Sequence, residues 1–362
     1  MQGPRDAIDL QKVYLDPVFL SKKQVQAGMG MKDYAEDLPI DYRTLRDILQ
    51  GGGVMPSTAK AVADYFEEDV LAILAPWDPR YEPSGDRPGM WSPFTDWETK
   101  GLLEQGRLAP NGLYYIVCRM EHRHTKGKLG RGKFYHLFWL RREQRQDAQH
   151  QLTRHADVCA RVGSHPNLAT NHTSTPLTNK EGWWVIDDWI GEKTLADHLA
   201  DHPWPIEELP RLLLEIAKGL EALHDGSVIF RELTPTRVLL ADKGGRAVLT
   251  DFELAKLLDG SPSVSSDWPE DPFRAPEVED GDVTVRADLY SLAQIAAAAI
   301  GGPKFKAAQA AALLEDAEMP KSLKRLLIDS LEDQPDQRPE KLAPILKGLA
   351  TWTEKSSRGR LS

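Results

Sequence analysis

Apolar positions along this chain change their spacing several times, and each change marks a different kind of element. From Phe19 to Leu74 they recur every three or four residues in short blocks, which predicts a bundle of short amphipathic helices. Ile40, Leu45 and Ile48 supply the contacts of a helix over 41–49 that Gly51 ends, and Ala59, Val62, Ala63 and Phe66 face inward on a helix opened by Pro56 and Ser57. Five prolines between Pro76 and Pro93 break every period and read as a stiff linker, with Trp77, Trp91 and Trp97 expected to pin it to a neighbour. Lys133 to Leu140 is a strand candidate, and a helix candidate runs from about Glu143 to Arg161. Leu209 to His224 is a long amphipathic helix with Leu212, Leu213, Ile216, Leu220 and Leu223 on its core side. Val228 to Lys256 then returns to strand spacing. An apolar pair leads into a polar turn, Val238-Leu239-Leu240, a charged Gly-Gly turn, Ala247 to Thr250, and Asp251-Phe252.

Composition narrows the class. At 362 residues and 41% apolar content the chain is long enough for two or three domains with ordinary cores. No apolar run approaches a membrane span and the start is charged rather than signal-like, so a soluble, cytoplasmic protein is expected. Cys118 and Cys159 are too few for a disulfide framework or a metal cluster, and are expected to be reduced, buried small hydrophobes. The net charge of −10 hides a split. Residues 100–186 hold 14 Lys and Arg against 6 Asp and Glu, whereas 187–362 hold 21 against 32. The basic run of Lys126, Lys128, Arg131, Lys133, Arg141, Arg142, Arg145, Arg154 and Arg161 is either a solvated face or a surface for DNA backbone or an acidic partner.

The segment from Val228 to Lys256 resembles the catalytic and metal-binding loops of protein kinases, with Arg231, Leu233, Pro235, Val238, Leu239, Leu240, Asp251 and Phe252 fitting the pattern. Further matches are His165-Pro166-Asn167-Leu168, Ala275-Pro276-Glu277 twenty-four residues after Asp251, Asp288 to Leu292, and Gln337-Arg338-Pro339. The resemblance implies that Asp288 braces the catalytic-loop backbone, that Arg338 pairs with Glu277, and that Arg231 could meet a phosphorylated Ser261, Ser263, Ser265 or Ser266. It also implies a bilobal kinase-like domain, with a small lobe over 100–186, a large lobe over 187–352 and a tail over 353–362. The chemical positions depart from the pattern. Glu232 replaces the catalytic Asp, Thr234 the Lys, and Arg237 the Asn that holds a magnesium ion, while Glu253 replaces the hinge Gly. Counting back from His165 puts the phosphate-binding Lys position on Phe138 and the helix Glu near His155 or Ala156, and the glycine loop falls on Gly106 to Gly112 without its pattern. A competing alignment starts that loop at Gly130. Only Asp251 remains as a metal ligand.

Met31 to Gly52 resembles a helix-turn-helix of the phage-repressor type, with Ala35 small where the two helices cross and Pro39 where the family has Gly. The implied fold is α+β, a small all-helical domain over 1–75, a linker over 76–99, then the kinase-like domain. On a helix entering a major groove, Tyr42, Arg43, Arg46 and Gln50 would reach bases or phosphates, although the segment is acidic. Together the two resemblances imply a catalytically inactive pseudokinase fused to a DNA-binding domain, acting in transcription regulation or as a DNA-associated scaffold. No cofactor is expected under that reading, and a protein partner and self-association are. Two alternatives stay open. One is an atypical Ser/Thr kinase or nucleotide-binding switch using Glu232 and Asp251 with ATP and magnesium; the other is a protein-interaction scaffold without DNA.

Overall fold

The computed structural model describes residues 13–50, 52–68, 70–74, 96–108, 113–137, 142–176, 182–242, 245–259, 271–278 and 283–359. The chain divides into two units, Met1–Gln149 with Thr173–Trp189, and His150–His172 with Ile190–Ser362.

The first unit begins with four helices, α1 (Pro17–Ala27), α2 (Met31–Asp37), α3 (Tyr42–Leu49) and α4 (Pro56–Tyr65), followed by a 3-10 turn over Val70–Ile73. Leu20, Tyr34, Ala35, Leu45, Ile48, Ala59 and Val62 share one buried cluster, the inward set that the three- and four-residue spacing selects. Between α2 and α3 the residue before Pro39, Leu38, is extended at φ −81° and ψ 155°. Proline forbids the helical region to its predecessor, so Pro39 ends α2 where a glycine would otherwise turn the chain. Asp41 then caps α3, its Oδ1 accepting from the Thr44 amide at 2.8 Å, and these bonds hold its carboxyl below the usual range.

The rest of the first unit is built on a five-stranded sheet. Its strands are β1 (Trp97–Leu108), β2 (Tyr114–His122), β3 (Leu129–His136), β4 (Asn171–Pro176) and β5 (Gly182–Asp188), in the order β1-β2-β3-β5-β4, and α5 (Arg142–Val162) connects β3 to β4. Trp97, expected in the linker, opens β1 and is buried. Trp77 and Trp91 lie outside the described residues. Gly130 and Gly132 are on β3, where a Cβ would come within 2.9 Å of Trp97 and 2.7 Å of Met120 respectively. Their bareness serves sheet packing, which removes the alignment that started a phosphate-binding loop at Gly130. Cys118 is buried on β2 and its thiol is pushed up to about 12 by desolvation, while Cys159 is half-buried and donates to the Ala169 carbonyl; both are free thiols.

The second unit is mainly helical: α6 (Leu195–Asp201), α7 (Leu209–Asp225), α8 (Val285–Gly301), α9 (Ala310–Asp316), α10 (Lys321–Asp329) and α11 (Ala343–Gly359). Leu212, Leu213, Ile216, Leu220 and Leu223 line the buried face of α7. Thr194 and Asp197 form a reciprocal capping box at the start of α6. Four short strands form two antiparallel pairs, β6 (Val228–Ile229) with β9 (Lys256–Leu257), and β7 (Val238–Leu240) with β8 (Ala247–Leu249). Among the described residues no helix is long and apolar enough to cross a membrane.

Candidate active site

The chemistry-bearing residues sit on the two connections that the short strand pairs hold in place. Val238 pairs with Leu249, Leu239 with Val248 and Leu240 with Ala247, so the turn before β7 and the segment after β8 end side by side. The Thr250 amide donates to the Arg237 carbonyl at 3.1 Å and closes that end. Asn167 fastens the hairpin from outside, donating through Nδ2 to the Ala247 carbonyl at 2.8 Å and accepting the Leu249 amide on its own carbonyl at 2.9 Å. Two residues here adopt the left-handed region, Arg231 and Asp251, each at φ 68°. Neither is glycine, so each is strained and held by its surroundings.

Those surroundings are a buried ionic cluster. Arg237 Nη2 lies 2.8 Å from Glu232 Oε2, and Arg237 Nη1 lies 2.8 Å from Asp251 Oδ2 and 3.8 Å from Glu253 Oε2. Arg274 Nη2 approaches the other Glu232 oxygen, Oε1, at 3.7 Å. All five side chains are buried. Glu232 Oε1 has no hydrogen-bond partner among the described residues. Burial pushes the Glu232 carboxyl above the ordinary carboxylate range; Arg237 and Arg274 pull it down, and Glu253 and Asp271 add to the push. Thr234, in the position of the family's lysine, exchanges a hydroxyl hydrogen bond with Thr236 at 2.8 Å.

Around this cluster the frame is pinned. Asp288, fully buried on α8, accepts the Phe230 amide at 3.0 Å and the Arg231 amide at 2.9 Å, and its Oδ2 is 2.8 Å from His224 Nε2. Arg231 donates to the Leu254 carbonyl. Arg338 grips both oxygens of Glu277 at 2.7 and 3.0 Å. Phe252 stacks on the His155 ring, 5.4 Å between centroids and 16° between planes, and packs against Phe230. The Phe252 amide donates to His155 Nδ1 at 3.1 Å, a bond that places the neutral ring's proton on Nε2, the nitrogen facing Cys159 Sγ.

Several expectations change in the light of this geometry. The strand expected over Lys133 to Leu140 runs instead from Leu129 to His136, and its one lysine is Lys133, buried with its ammonium 4.7 Å over the Tyr115 ring. Phe138, counted as the lysine position, lies outside the described residues, as do the serines from Ser261 to Ser266 and the end of the Gly106 to Gly112 stretch. Glu253 was read as the loss of a hinge glycine, yet it does not occupy the left-handed region, which falls on Asp251 two residues earlier. His155, expected only as a missing glutamate, anchors the backbone of Phe252. Tyr42, Arg43, Arg46 and Gln50 are exposed along α3 and its C-cap, in the first unit.

Magnesium, which the resemblance associates with Asp251, does not fit the side chains as they are arranged. Asp251 Oδ2 is taken by Arg237 and Oδ1 accepts from the Thr250 hydroxyl at 3.2 Å. Among the described residues, no three Asp, Glu, His or Cys side chains are disposed to ligate a metal.

A family model described as the protein kinase domain matches residues 126–360. The serine/threonine-protein kinase sgk-1 of Caenorhabditis elegans is 31% identical over 172 residues, 46% of this chain and 35% of that protein. The serine/threonine-protein kinase PknJ of Mycobacterium tuberculosis is 30% identical over 152 residues, 40% and 25% of the two chains. The serine/threonine-protein kinase shk2 of Schizosaccharomyces pombe is 27% identical over 134 residues, 36% and 22%. The match thus spans about a third or less of each relative's length. Family and relatives point to an enzyme, which overturns the expectation of a catalytically inactive regulator working on DNA, and the transcription-regulation reading with it. The replaced residues signalled a changed site, and inactivity does not follow from that change. The family model covers more than half of the chain, and this protein belongs to the protein kinase family.

Proposed function

We propose that the chain is an atypical serine/threonine protein kinase in which Glu232 is the general base. The observation that carries this is Glu232 Oε1, a buried carboxylate oxygen without a hydrogen-bond partner among the described residues, on a loop whose backbone Asp288 fixes. A base works best when its proton affinity approaches the working pH, and burial moves Glu232 in that direction. In the transfer, the substrate hydroxyl oxygen bonds to the γ-phosphorus as the bond from that phosphorus to the bridging oxygen breaks. ADP leaves, and the hydroxyl proton passes to Glu232. The extra methylene of Glu over Asp extends the carboxylate, while Arg237 holds the opposite oxygen so that one oxygen stays directed. Lys133 holds the strand position at which the family carries its phosphate-binding lysine.

The test is transfer of labelled γ-phosphate from ATP to the chain itself and to a generic protein substrate, with and without magnesium. Wild type is expected to incorporate label on Ser or Thr, and Glu232→Gln to lose roughly 10²- to 10⁴-fold in rate. Background incorporation by wild type in every condition, or equal rates for wild type and Glu232→Gln, would sink the reading. For α2 and α3 we infer a helix-turn-helix arrangement, supported by their shared core and by the exposed face of α3, serving as a surface for a protein partner.

A further inference from the structure

Three carboxylates converge on one guanidinium at the heart of the second unit. In the family, the aspartate at position 251 and the side chain at position 237 are both cation ligands. Here they bond to each other, Asp251 to Arg237 at 2.8 Å, and Glu232 bonds to the same guanidinium at 2.8 Å from the opposite side. Glu253 contributes a third carboxylate at 3.8 Å. The four side chains are 3–8% exposed, so solvent does little to screen them, and three buried anions without a cation would be strongly destabilising. Arg274 lies 3.7 Å from Glu232 and supplies the cluster's second positive charge. Arg231, next in sequence to Glu232, adds a further positive charge near that carboxylate while its Nη1 donates to the Leu254 carbonyl.

We infer that Arg237 is the chain's own resident cation: it fills the space between Glu232, Asp251 and Glu253, keeps divalent ions out, and its removal turns those three side chains into a divalent-cation site. The substitution is asymmetric. A guanidinium spaces its carboxylates farther apart than a metal ion does, because metal–oxygen distances are only about 2.0–2.6 Å. Without the guanidinium, the flexible Glu232 and Glu253 side chains can swing inward to the short distances that a metal requires, with Asp251 held by its backbone.

The inference stands whether or not phosphate is transferred, because the probe is the metal alone. Mn²⁺ is titrated into the full chain while free Mn²⁺ is followed by electron paramagnetic resonance, and melting temperature is read with and without the ion. Wild type is expected to take up no stoichiometric Mn²⁺ in the millimolar range and to melt unchanged. Arg237→Asn should fall by on the order of 10 °C, recover most of the loss with Mn²⁺, and bind one ion that Asp251→Asn in the same chain abolishes. Arg237→Lys, which keeps a charge on a shorter reach, should take up none, and should Arg237→Asn fail to fold, the wild-type arm decides. Stoichiometric Mn²⁺ on wild type that Asp251→Asn removes would overturn the inference, as would a folded Arg237→Asn that binds none. Label transfer by wild type only with magnesium, alongside empty wild-type Mn²⁺ titrations, would leave the inference intact and place the required ion on the nucleotide.

Discussion

Arg338 and Arg237 are both buried arginines bonded to carboxylates in the second unit, but the first meets one carboxylate and the second meets three. Arg338 uses every donor it has. Its two Nη atoms take both oxygens of Glu277, Nε donates to the Glu332 carbonyl at 2.6 Å, and the remaining Nη protons reach the Arg286 and Asp333 carbonyls, with the guanidinium stacked 4.9 Å from the Tyr290 ring. One positive charge faces one negative charge and nothing is left over. Around Arg237, three carboxylates share one guanidinium with Arg274 and Arg231 close by, one glutamate oxygen has no hydrogen-bond partner among the described residues, and Asp251 sits in a strained backbone region. A closed pair of the first kind holds a fold together. An open cluster of the second kind leaves a carboxylate oxygen directed rather than bonded, which is what proton transfer needs and what stability alone would select against.

The largest effect should come from breaking the closed pair. Arg338→Ala leaves the half-buried Glu277 without its partner beside three orphaned carbonyls and is expected to cost about 3–5 kcal/mol in chemical denaturation, with no new dependence on Mn²⁺. That second clause sharpens the contrast, since the same assay on Arg237→Asn should show a metal rescue. Were Mn²⁺ to rescue Arg338→Ala as well, the two sites would not differ in kind. A smaller loss is expected from the side chain that positions Asp251's neighbour. His155→Ala removes a fully buried ring that stacks on Phe252 and should cost about 2–4 kcal/mol. His155→Phe keeps a ring there and should cost about 1–3 kcal/mol for the unpaired Phe252 amide. Hydrogen exchange at that amide separates the cases, being faster in both variants if Nδ1 is its acceptor and unchanged if it is not.

How much of this was legible beforehand follows from what kind of signal each part leaves. Helical and strand periods are local, so the sequence shows α7 over Leu209 to His224 and the hairpin strands at Val238 to Leu240 and Ala247 to Leu249, close to where they occur. Motif residues whose role is to bond a backbone, such as Asp288, carry their spacing with them. The small-lobe strand was expected too late in the chain: β3 ends at His136, so the lysine position counted back from His165 falls beyond it, outside the described residues. His155 left no signal, since a buried histidine under an aromatic ring has no spacing rule. Arg237 was read as the replacement of an Asn that holds a magnesium ion. The sequence cannot show that three carboxylates would gather around its charge, because they come from Glu232, Asp251 and Glu253, up to 21 residues apart.

The smallest effect decides which force governs the open cluster. Burial and the arginines act on Glu232 in opposite directions, and burial is the larger, so its folded carboxyl titrates above the ordinary value of 4.5. A group whose folded value is raised binds its proton more tightly in the folded state. Its stabilising contribution is therefore complete below pH 4.5 and is lost as pH climbs through the folded value, at no more than about 1.4 kcal/mol per pH unit. Glu232→Gln mimics the protonated acid and has no such slope. Unfolding free energies of the two proteins, measured across the acid range upward, should therefore keep a constant gap below pH 4.5, and wild type should lose ground as pH rises beyond it. Relative gain by wild type over that window would mean that Arg237 and Arg274 hold the carboxylate as an anion more strongly than burial opposes it. The cluster would then be a closed salt bridge like that of Arg338, and the unpartnered Oε1 would no longer mark a base.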